Sequence, residues 1–493
     1  MRPFLLALAA GALFAVSLPP MNWEWAGWIA LAPLLTAAVG RRPLESLGLG
    51  LLGGLFCGVL RAGWNRDTER LFWAYLPFLW LTLLFGGVAL AAAWARRRAA
   101  GLPWVLFVTC LAVAGEWLTT WLPLPLNVAL CQHRNLALIQ IASVTGIWGI
   151  SFLVWLVNAA IADATLQRGL WTKPLAIAAG LALLSWGYGM MTDPYANGLT
   201  TLPNIQQLPV AAIQDFTGDE TGDLVQHASD GATDVDRDQM TRQAAKQGAR
   251  LIVWSEECLG SAFRPDDPDD PTRALARKLH TSLVVGYSDD SRPRPFNCAA
   301  FIGPDGVVRG VHHKIHLYLG ESRSVQRGGT PTAYRTALGR VGMEVCFDSC
   351  YTGVTRQIVR SGAQLIAMPN YDPPSPQGVL HELHGAMLPF RAVENQVPFV
   401  RADSNGRSQI IGADGRIVAQ AALYAPNVLM GTVALGDGRG TFFTRCGDWL
   451  AYLCVIGAGI YGILFRNRAV SGRQRALRGA ADTRPQSRPV PVD

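Results

Sequence analysis

Residues 71–95 read LFWAYLPFLWLTLLFGGVALAAAWA, a stretch without a single charged side chain. A helix of roughly 20 mostly apolar residues spans the hydrocarbon core of a bilayer, so this stretch predicts a transmembrane helix. The whole chain shows the same trend, because half of its 493 residues are hydrophobic and only 16% are charged. Soluble proteins carry about 25% charged residues. The composition therefore indicates a large membrane-embedded part and excludes a disordered chain.

Seven further stretches are apolar enough to be read as membrane-spanning helices. They lie at 3–22, 25–40, 44–60, 102–122, 136–162, 174–191 and 449–465. The first stretch could also be a cleaved signal peptide, but the number of spans after it favours a retained helix. The sequence thus predicts seven spans before residue 192 and one near the C-terminus.

The short loops between these spans differ in their content of Lys and Arg, which sets orientation. With a cytoplasmic N-terminus, most of the basic residues fall on the cytoplasmic side of a bacterial-type cell (inner) membrane. They are Arg2, Arg41, Arg42, Arg96, Arg97, Arg98, Arg168, Lys173 and the Arg-rich tail after 466. The other side receives Arg66, Arg70 and Arg134 between spans, with Arg61 at the end of one. We therefore expect both termini in the cytoplasm and residues 192–448 on the periplasmic, extracytoplasmic face.

The net charge of +7 arises from an excess of basic residues in the two ends of the chain. Residues 193–448 hold 24 basic and 28 acidic side chains, so this middle part is mildly acidic. A nucleic-acid-binding protein would carry its basic patch on the folded domain, so we expect no nucleic acid among the partners.

The sequence predicts four parts. These are a seven-span domain at 1–191, an extracytoplasmic α/β domain at 192–448, a C-terminal transmembrane helix at 449–465, and a basic, disordered tail at 466–493. The α/β interpretation depends on short apolar runs that alternate with polar helical stretches. The runs are Val210–Ile213, Leu251–Trp254, Ser282–Gly286, Ala299–Ile302, Gly342–Val345 and Leu365–Met368. Helical crossovers are expected at 234–249 and 348–361, each ending at a Gly.

Three segments of the predicted α/β domain carry reactive side chains. Trp254-Ser255-Glu256-Glu257 ends an apolar strand in two carboxylates, and Val345-Cys346-Phe347-Asp348 ends another in a thiol. The third segment contains His312, His313, Lys314 and His316, and is followed by Glu321. A carboxylate, an ammonium and a thiol at strand ends could form one site.

Each of these residues also has an ordinary structural interpretation. A Glu at a strand end is usually solvated, and a Cys is usually a small buried hydrophobe. Lys314 is harder to explain as an ordinary surface residue, because the chain contains only four Lys and 39 Arg. Where Arg is the usual cation, a Lys suggests a need for its compact ammonium group. The His cluster lacks a Cys or carboxylate at the spacing typical of a metal site, so we expect neither metal nor cofactor.

The order Glu, Lys, Cys resembles the nitrilase (carbon–nitrogen hydrolase) superfamily. The whole layout resembles its membrane-embedded branch, the apolipoprotein N-acyltransferase family. Membrane-half motifs carry most of this likeness: Ser17-Leu18-Pro19-Pro20, Trp28 to Leu34, Glu116-Trp117-Leu118, Ile139 to Ser143, Gly146, Gly149, Ser151-Phe152-Leu153 and Asn158. In the α/β domain, Asn297-Cys298-Ala299, Gly320-Glu321, Arg391 to Glu394, Ser404-Asn405-Gly406 and Gly415-Arg416 also match. The resemblance implies an α-β-β-α sandwich beside a polytopic helical membrane domain.

The resemblance also implies roles for the reactive residues. Cys346 would be the nucleophile, with its thiolate stabilised by a helix N-terminus. Glu256 would be the general base, and Lys314 would stabilise the oxyanion. Glu321 would support this network. The donor would be a membrane phospholipid and the acceptor the α-amine of a diacylated lipoprotein, with a Cys thioester between them.

Several positions depart from the family pattern. Ser255 replaces the usual Pro, and Glu257 adds a second candidate base. Phe347-Asp348 replaces Tyr-Glu after the nucleophile, and 370–376 differs from the family's Asn-Asp-Ala-Trp-Phe-Gly stretch. These departures leave the acceptor open, so an amidohydrolase or another acyltransferase is the alternative. A transporter is disfavoured, because few acidic residues, among them Glu116 and Asp163, lie within or at the edge of a span.

The remaining cysteines of the exported segment raise a separate question. Cys350 follows Cys346 by four positions, and we expect it to be a core residue rather than a disulfide partner. Cys258, Cys298 and Cys446 would face an oxidising compartment, which leaves a single bridge among them open.

Overall fold

The computed structural model describes residues 1–63, 68–122, 125–169, 172–192, 206–215, 232–318, 320–373 and 378–481. Within these ranges the chain forms a helical half, to which the C-terminal helix belongs, and an α/β half. The helices of the first half are α1 Arg2–Ser17, α2 Glu24–Gly27, α3 Ala32–Ala38, α4 Pro43–Ala62, α5 Thr68–Arg96, α6 Leu102–Thr119, α7 Leu136–Ile139, α8 Ala142–Thr145, α9 Ile147–Gln167 and α10 Lys173–Thr192. The remaining long helix, α17, covers Trp449–Ala481.

Six of the expected spans coincide with helices that are long and apolar enough to cross a membrane, among the described residues. They are Pro43–Ala62, Tyr75–Arg96, Leu102–Thr119, Ile147–Gln167, Lys173–Thr192 and Trp449–Arg466. The predicted span at 3–22 is the shorter helix α1, which ends at Ser17. The single helices expected at 25–40 and 136–162 are both interrupted, the first between α2 and α3 and the second at Gly146, whose φ is +66°.

The interruption between α2 and α3 is stabilised by one side chain from another helix. Asn158 of α9 accepts hydrogen bonds from the backbone N–H groups of Leu31 and Ala32, at 2.8 and 2.9 Å. Its amide group donates to the Gly27 carbonyl at 2.9 Å. Backbone groups freed inside a membrane protein must find such partners, so Asn158 makes the broken helix tolerable.

The glycines of α4 explain why this Gly-rich stretch forms a membrane helix. A Cβ atom at Gly50 would overlap the Phe85 carbonyl, and one at Gly54 would overlap the backbone of Thr82. Both neighbours belong to α5, so the missing side chains allow the two helices to approach closely.

The α/β half contains two six-stranded sheets. Their strands are β1 Gln207–Gln214, β2 Leu251–Val253, β3 Ser282–Asp289, β4 Phe296–Ile302, β5 Val308–His313, β6 Ala333–Thr336, β7 Gly339–Met343, β8 Leu365–Asn370, β9 Phe399–Asp403, β10 Gln409–Ile411, β11 Ile417–Gln420 and β12 Asn427–Ala434. The strand orders are β12-β1-β2-β3-β4-β5 and β11-β10-β9-β8-β7-β6. In each sheet three central strands are parallel, β1-β2-β3 and β7-β8-β9. The carboxyl ends of these strands meet at one edge, where the site lies.

The sheets pack face to face with helices outside them. The helices are α11 Ala232–Lys246, α12 Pro271–Leu279, α13 Thr352–Arg360, α14 Val379–Gly385, α15 Leu388–Asn395 and α16 Phe442–Cys446. Alternate residues of β1 show the layering: Val210 and Ala212 join the core between the sheets, whereas Ala211 and Ile213 join the cluster under α11 and α12. A third cluster lies between the second sheet and α13 and α15. This α-β-β-α sandwich agrees with the predicted fold class.

All six predicted strands fall on observed ones, but two predicted segments differ. The helix expected at 348–361 begins only at Thr352, because Cys346–Cys350 forms a separate 3₁₀ helix. In the tail expected to be disordered, α17 continues to Ala481, where Ala, Arg, Gln and Leu favour a helix. Residues 482–493 lie outside the described ranges, as do Pro123 and Leu124 and residues 193–205 at the start of the predicted α/β domain.

A buried carboxylate, Glu394, and a half-buried one, Asp448, connect the α/β half to the membrane half. Glu394 of α15 accepts a hydrogen bond from the N–H of Ile147, the first residue of α9, at 2.8 Å. Asp448 accepts from the indole of Trp148 at 2.9 Å and from the hydroxyl of Thr352 at 3.2 Å. The helical layer that contains α13 and α15 is therefore anchored directly to a transmembrane helix.

Candidate active site

The three residues predicted to act together come from three strand ends. Glu256 follows β2, Lys314 follows β5, and Cys346 follows β7. All three are buried and all three line one cavity of about 440 Å³. The supporting residues Glu257 and Glu321 line the same cavity, whereas Asp348 lies behind it.

Lys314 holds two carboxylates together. Its Nζ donates to Glu256 Oε1 at 2.7 Å and lies 3.0 Å from Glu321 Oε2. The amide of Asn297, on β4, donates to Glu256 Oε1 at 2.7 Å and to Glu321 Oε1 at 3.2 Å. Glu256 Oε2 has no hydrogen-bond partner among the described residues, which leaves that oxygen available to accept a proton.

Burial and pairing set the charges of this network. Burial raises the pKa of Glu256, and the neighbouring Lys314 ammonium opposes that rise. Burial alone would lower the pKa of Lys314, but Glu256 and the other anionic groups raise it well above its usual value. Lys314 is therefore a cation at neutral pH, and Glu256 combines a raised proton affinity with a fixed positive neighbour.

Cys346 occupies a strained backbone position at the start of the 3₁₀ helix. Its φ of +46° lies in the left-handed region, which non-Gly residues seldom adopt and which recurs at functional sites. The thiol donates to the Tyr371 carbonyl at 3.4 Å. Burial and the Glu256 carboxylate raise the pKa of Cys346 well above its usual value.

The expectation of a thiolate stabilised by a helix N-terminus is therefore wrong for this site. The helix after Cys346 is a five-residue 3₁₀ turn, and burial next to a carboxylate outweighs its small dipole. The raised pKa favours a neutral thiol at Cys346, in the same cavity as the Glu256 carboxyl group.

Asp348 connects the turn of the nucleophile to the loop that carries Lys314. Oδ1 accepts from the backbone N–H groups of Ile315 and His316 at 3.0 and 2.8 Å. Oδ2 contacts His312 Nε2 at 2.9 Å and accepts from Val345 N at 3.3 Å. Burial opposes ionisation of this carboxyl, but the bonds from the two histidines hold the pKa of Asp348 well below its usual range. Two residues of the predicted His cluster, His312 and His316, therefore bond the carboxylate of Asp348.

Glu257 has a different environment from Glu256. Its side chain is exposed at the wall of the cavity, and its φ is +49°. Desolvation at that wall, followed by the charge of Glu256, raises the pKa of Glu257 to about 7. Lys314 and Asn297 both bond Glu256, so the geometry favours Glu256 as the base.

Other residues of the cavity were not predicted as site residues from the sequence. They include Tyr318, Tyr371, Asp372, Leu380 and His384. Asn297 was noted only as a family match, and its role became visible through its contacts in space. Cys350 is buried in the core cluster, as expected, and the described cysteines are all free thiols.

Aromatic contacts lead from the cavity to the membrane half. Phe347, on the cavity wall, packs edge-to-face on Tyr351 with ring centroids 5.4 Å apart. The Tyr351 hydroxyl donates to the Leu122 carbonyl, beyond the end of α6, at 3.3 Å. Phe347, the residue after Cys346, is therefore connected through one side chain to the end of a transmembrane helix.

Two family models match this chain. Residues 225–441 match the carbon–nitrogen hydrolase model, and residues 10–160 match the apolipoprotein N-acyltransferase N-terminal domain. The carbon–nitrogen hydrolase of Helicobacter pylori, a solved structure, aligns with a TM-score of 0.39 and 18% identity over 46% of this chain and 89% of its own. Fold and family models together define a membrane-embedded member of the nitrilase superfamily.

Full-length relatives narrow this class. The apolipoprotein N-acyltransferase of Geobacter metallireducens is 30% identical and covers 95% of this chain and 96% of its own. That of Gloeobacter violaceus is 23% identical and covers 95% of both chains. The chain belongs to the apolipoprotein N-acyltransferase family, and its activity is lipoprotein N-acylation.

Proposed function

We propose that the chain transfers an acyl chain from a membrane phospholipid to the α-amine of a diacylglyceryl-cysteine lipoprotein through a thioester on Cys346. The observation that carries this proposal is the hydrogen-bonded pair of Glu256 and Lys314 in one cavity with the Cys346 thiol. These groups supply a base, a cation for an oxyanion and a nucleophile, as acyl transfer requires.

In the first half-reaction Cys346 Sγ attacks the ester carbonyl of the phospholipid. Glu256 takes the thiol proton while Lys314 stabilises the negative charge on the carbonyl oxygen. The bond from carbonyl carbon to glycerol oxygen then breaks, and Glu256 returns the proton to that oxygen. A lysophospholipid leaves, and the acyl chain remains on sulfur.

In the second half-reaction the amine of the acceptor attacks the thioester carbonyl. Glu256 takes a proton from the amine nitrogen, the carbon–sulfur bond breaks, and the proton returns to Cys346. The products are an amide on the lipoprotein and the free thiol. Two substrates that use one site in turn give ping-pong kinetics.

The membrane half supports lipids as both donor and acceptor. One transmembrane helix would be enough to anchor the catalytic domain, yet six long apolar helices occur among the described residues. The contacts from Phe347 through Tyr351 to Leu122 bring the nucleophile next to the end of α6. Long acyl chains can then stay in an apolar environment during transfer.

Trapping the acyl-enzyme tests this proposal. The full-length protein in lipid nanodiscs is incubated with a phospholipid that carries a labelled acyl chain, and the modified residue is identified by mass spectrometry. We expect a thioester on Cys346 that discharges onto a diacylated lipopeptide. Cys350→Ser is the matched control, because it removes a buried thiol four residues away and is expected to leave the thioester intact.

Two results would overturn parts of the proposal. A thioester that discharges only to water would indicate an amidohydrolase-like enzyme and contradict the acceptor. Unchanged lipopeptide acylation in Cys346→Ala protein would contradict the covalent intermediate itself.

A further inference from the structure

His384 is a buried residue of α14 that lines the same cavity as Cys346. Both of its ring nitrogens are engaged. Nδ1 lies 2.8 Å from Asp372 Oδ1, and Nε2 lies 2.8 Å from the Ser349 hydroxyl. Ser349 in turn donates to the backbone carbonyl of Cys346 at 3.1 Å.

The hydrogen-bond partners fix the protonation of this imidazole. An ionised carboxylate only accepts, so Nδ1 carries a proton toward Asp372. Ser349 has one hydroxyl proton, and it is used on the Cys346 carbonyl, which also only accepts. Nε2 must then donate to Ser349. All three bonds form together only when His384 is an imidazolium.

The charge of His384 is close to the reactive sulfur. Three atoms lie within 4.8 Å of one another: one ring nitrogen of His384, one carboxylate oxygen of Asp372 and Sγ of Cys346. The negative charge of Asp372 alone would disfavour a second negative charge on the sulfur of Cys346. The positive charge of the His384 imidazolium offsets this repulsion. The same residue also tethers the strained backbone of Cys346 through Ser349.

We propose that His384 is a second cation of the catalytic site, which stabilises negative charge on Cys346 as the thiol loses its proton. It is a positioning residue, since it acts on the nucleophile through Ser349 and through its field. This inference rests on Cys346 being the nucleophile proposed above.

The charged and titratable groups around His384 come from several elements, and they agree with this assignment. Arg401 of β9 bonds Asp372 and also Asp403, at 2.8 Å in the latter case. The other neighbours are Glu344 at the end of β7, Cys350 in the 3₁₀ helix, Lys314 across the cavity, and His381 one turn earlier. Burial would lower the pKa of His384, but Asp372 raises it to about 10, so the charge persists across the physiological range.

Alkylation of Cys346 measures this effect without any lipid substrate. The full-length protein in nanodiscs is treated with iodoacetamide between pH 6 and pH 10, and modification of the Cys346 peptide is followed by mass spectrometry. In His384→Gln protein we expect the alkylation rate at each pH below the midpoint of the thiol to fall about tenfold, as for a rise of about one unit in the thiol pKa. An alkylation rate equal to that of the unmodified chain would overturn the proposal.

A matched control separates charge from packing. His133 is a buried histidine outside this cavity, and its Nδ1 lies 3.0 Å from the Leu130 carbonyl oxygen. We expect His133→Gln to keep the alkylation rate, and an equal loss in both variants would contradict a specific role of His384. In His384→Lys protein a cation is restored, so the alkylation rate is expected to move back toward the original value.

A measurement on the unmodified chain covers the case in which the variants fail to fold. Nitrogen NMR of protein labelled at its eight histidines distinguishes neutral rings from imidazolium. At pH 8.5 we expect one doubly protonated ring, and its absence would contradict the proposal. Normal alkylation of Cys346 without N-acylation of a lipopeptide would instead count against the proposed function and leave His384 unaffected.

Discussion

Lys314 Nζ lies 2.7 Å from Glu256 Oε1, although 58 positions separate the two residues in the chain. Both side chains are buried, so neither charge is compensated by water. A buried ion pair adds little net stability, and removing one partner is costly. The pair is therefore better explained by the chemistry of the cavity than by folding.

Replacing Lys314 by Met tests the oxyanion role. The variant keeps an unbranched apolar side chain but removes the charge, and we expect thioester formation to slow by about 10²–10³-fold. Lys278→Met is the control, because Lys278 is exposed on α12, and its acylation rate should not change. Rapid acylation by Lys314→Met protein would exclude electrostatic stabilisation by this residue.

Glu256 and Glu257 are adjacent in the chain, and both are candidate bases. They differ in their contacts, because Lys314 and Asn297 bond Glu256. We expect Glu256→Gln to slow acylation by about 10²–10⁴-fold, since the base is lost. Glu257→Gln should stay within a few-fold of the unmodified chain, because Lys314 and Asn297 bond Glu256. Single-turnover rates with labelled phospholipid decide the point, and a reversed order would assign the base to Glu257.

Asp348 fixes the Lys314 loop to the turn of the nucleophile. Asn at this position cannot accept all four hydrogen bonds, so we expect Asp348→Asn to lose about 1–3 kcal/mol of stability and to acylate more slowly. Asp305→Asn is the control, since Asp305 pairs with Arg309 on the surface and such pairs contribute about 0–1 kcal/mol. Thermal unfolding in detergent measures both.

The pH dependence of Asp348 has a definite sign. Its pKa is lower in the folded chain than in the unfolded one, so its contribution is complete above pH 4 to 5 and is lost as the pH falls further. The difference in stability between the Asp348→Asn variant and the unmodified chain should therefore shrink in acid. A constant difference from pH 3 to pH 7 would contradict the ionised, bonded carboxylate.

Glu344 is a buried carboxyl group that the proposed mechanism does not use. Burial raises its pKa to about 8, so at pH 7 the folded chain holds a proton that the unfolded chain releases. This uptake costs roughly 3 kcal/mol at pH 7, and the cost grows until the pH passes about 8. Glu344→Gln should thus raise the unfolding temperature, more strongly at pH 8 than at pH 5. An equal effect at both values would show that Glu344 is ionised in the folded chain.

The sequence predicted those parts of the fold and site that depend on local pattern. Apolar runs predicted six of the strands, β1 to β4, β7 and β8, and the reactive residues at three strand ends pointed to Glu256, Lys314 and Cys346. Contacts between distant segments could not be predicted in this way. The Asn158 side chain that stabilises the break before Ala32, and the bond between His384 and Ser349, exist only once separate helices pack together.

The protonation of the nucleophile was mispredicted for a related reason. A Cys at a strand-to-helix turn suggested a thiolate, but burial and the approach of Glu256 favour the thiol. Both effects come from the folded environment and leave no local sequence signal. The polar edge strands β6 and β11 were missed because their alternation is short and only partly buried.

The native cysteine Cys446 can be used to test on which side of the membrane the α/β half lies. Cys446 is exposed, and it lies just before α17, at the boundary between the α/β half and the last transmembrane helix. The distribution of Arg and Lys predicts that this boundary faces away from the cytoplasm. A maleimide that cannot cross the inner membrane should therefore label Cys446 in spheroplasts. In a Cys346→Ala background, which removes the thiol of the cavity, Cys446→Ser should abolish the label, because Cys258, Cys298 and Cys350 are buried.

A second cysteine completes this test. Placed at Ser471 in the Cys446→Ser background, it should react only after the membrane is permeabilised, since the tail is expected in the cytoplasm. Labelling of Cys446 only after permeabilisation would place the catalytic cavity in the cytoplasm. The acceptor would then have to be a cytoplasmic amine, which would contradict a diacylated lipoprotein as the substrate proposed for Cys346.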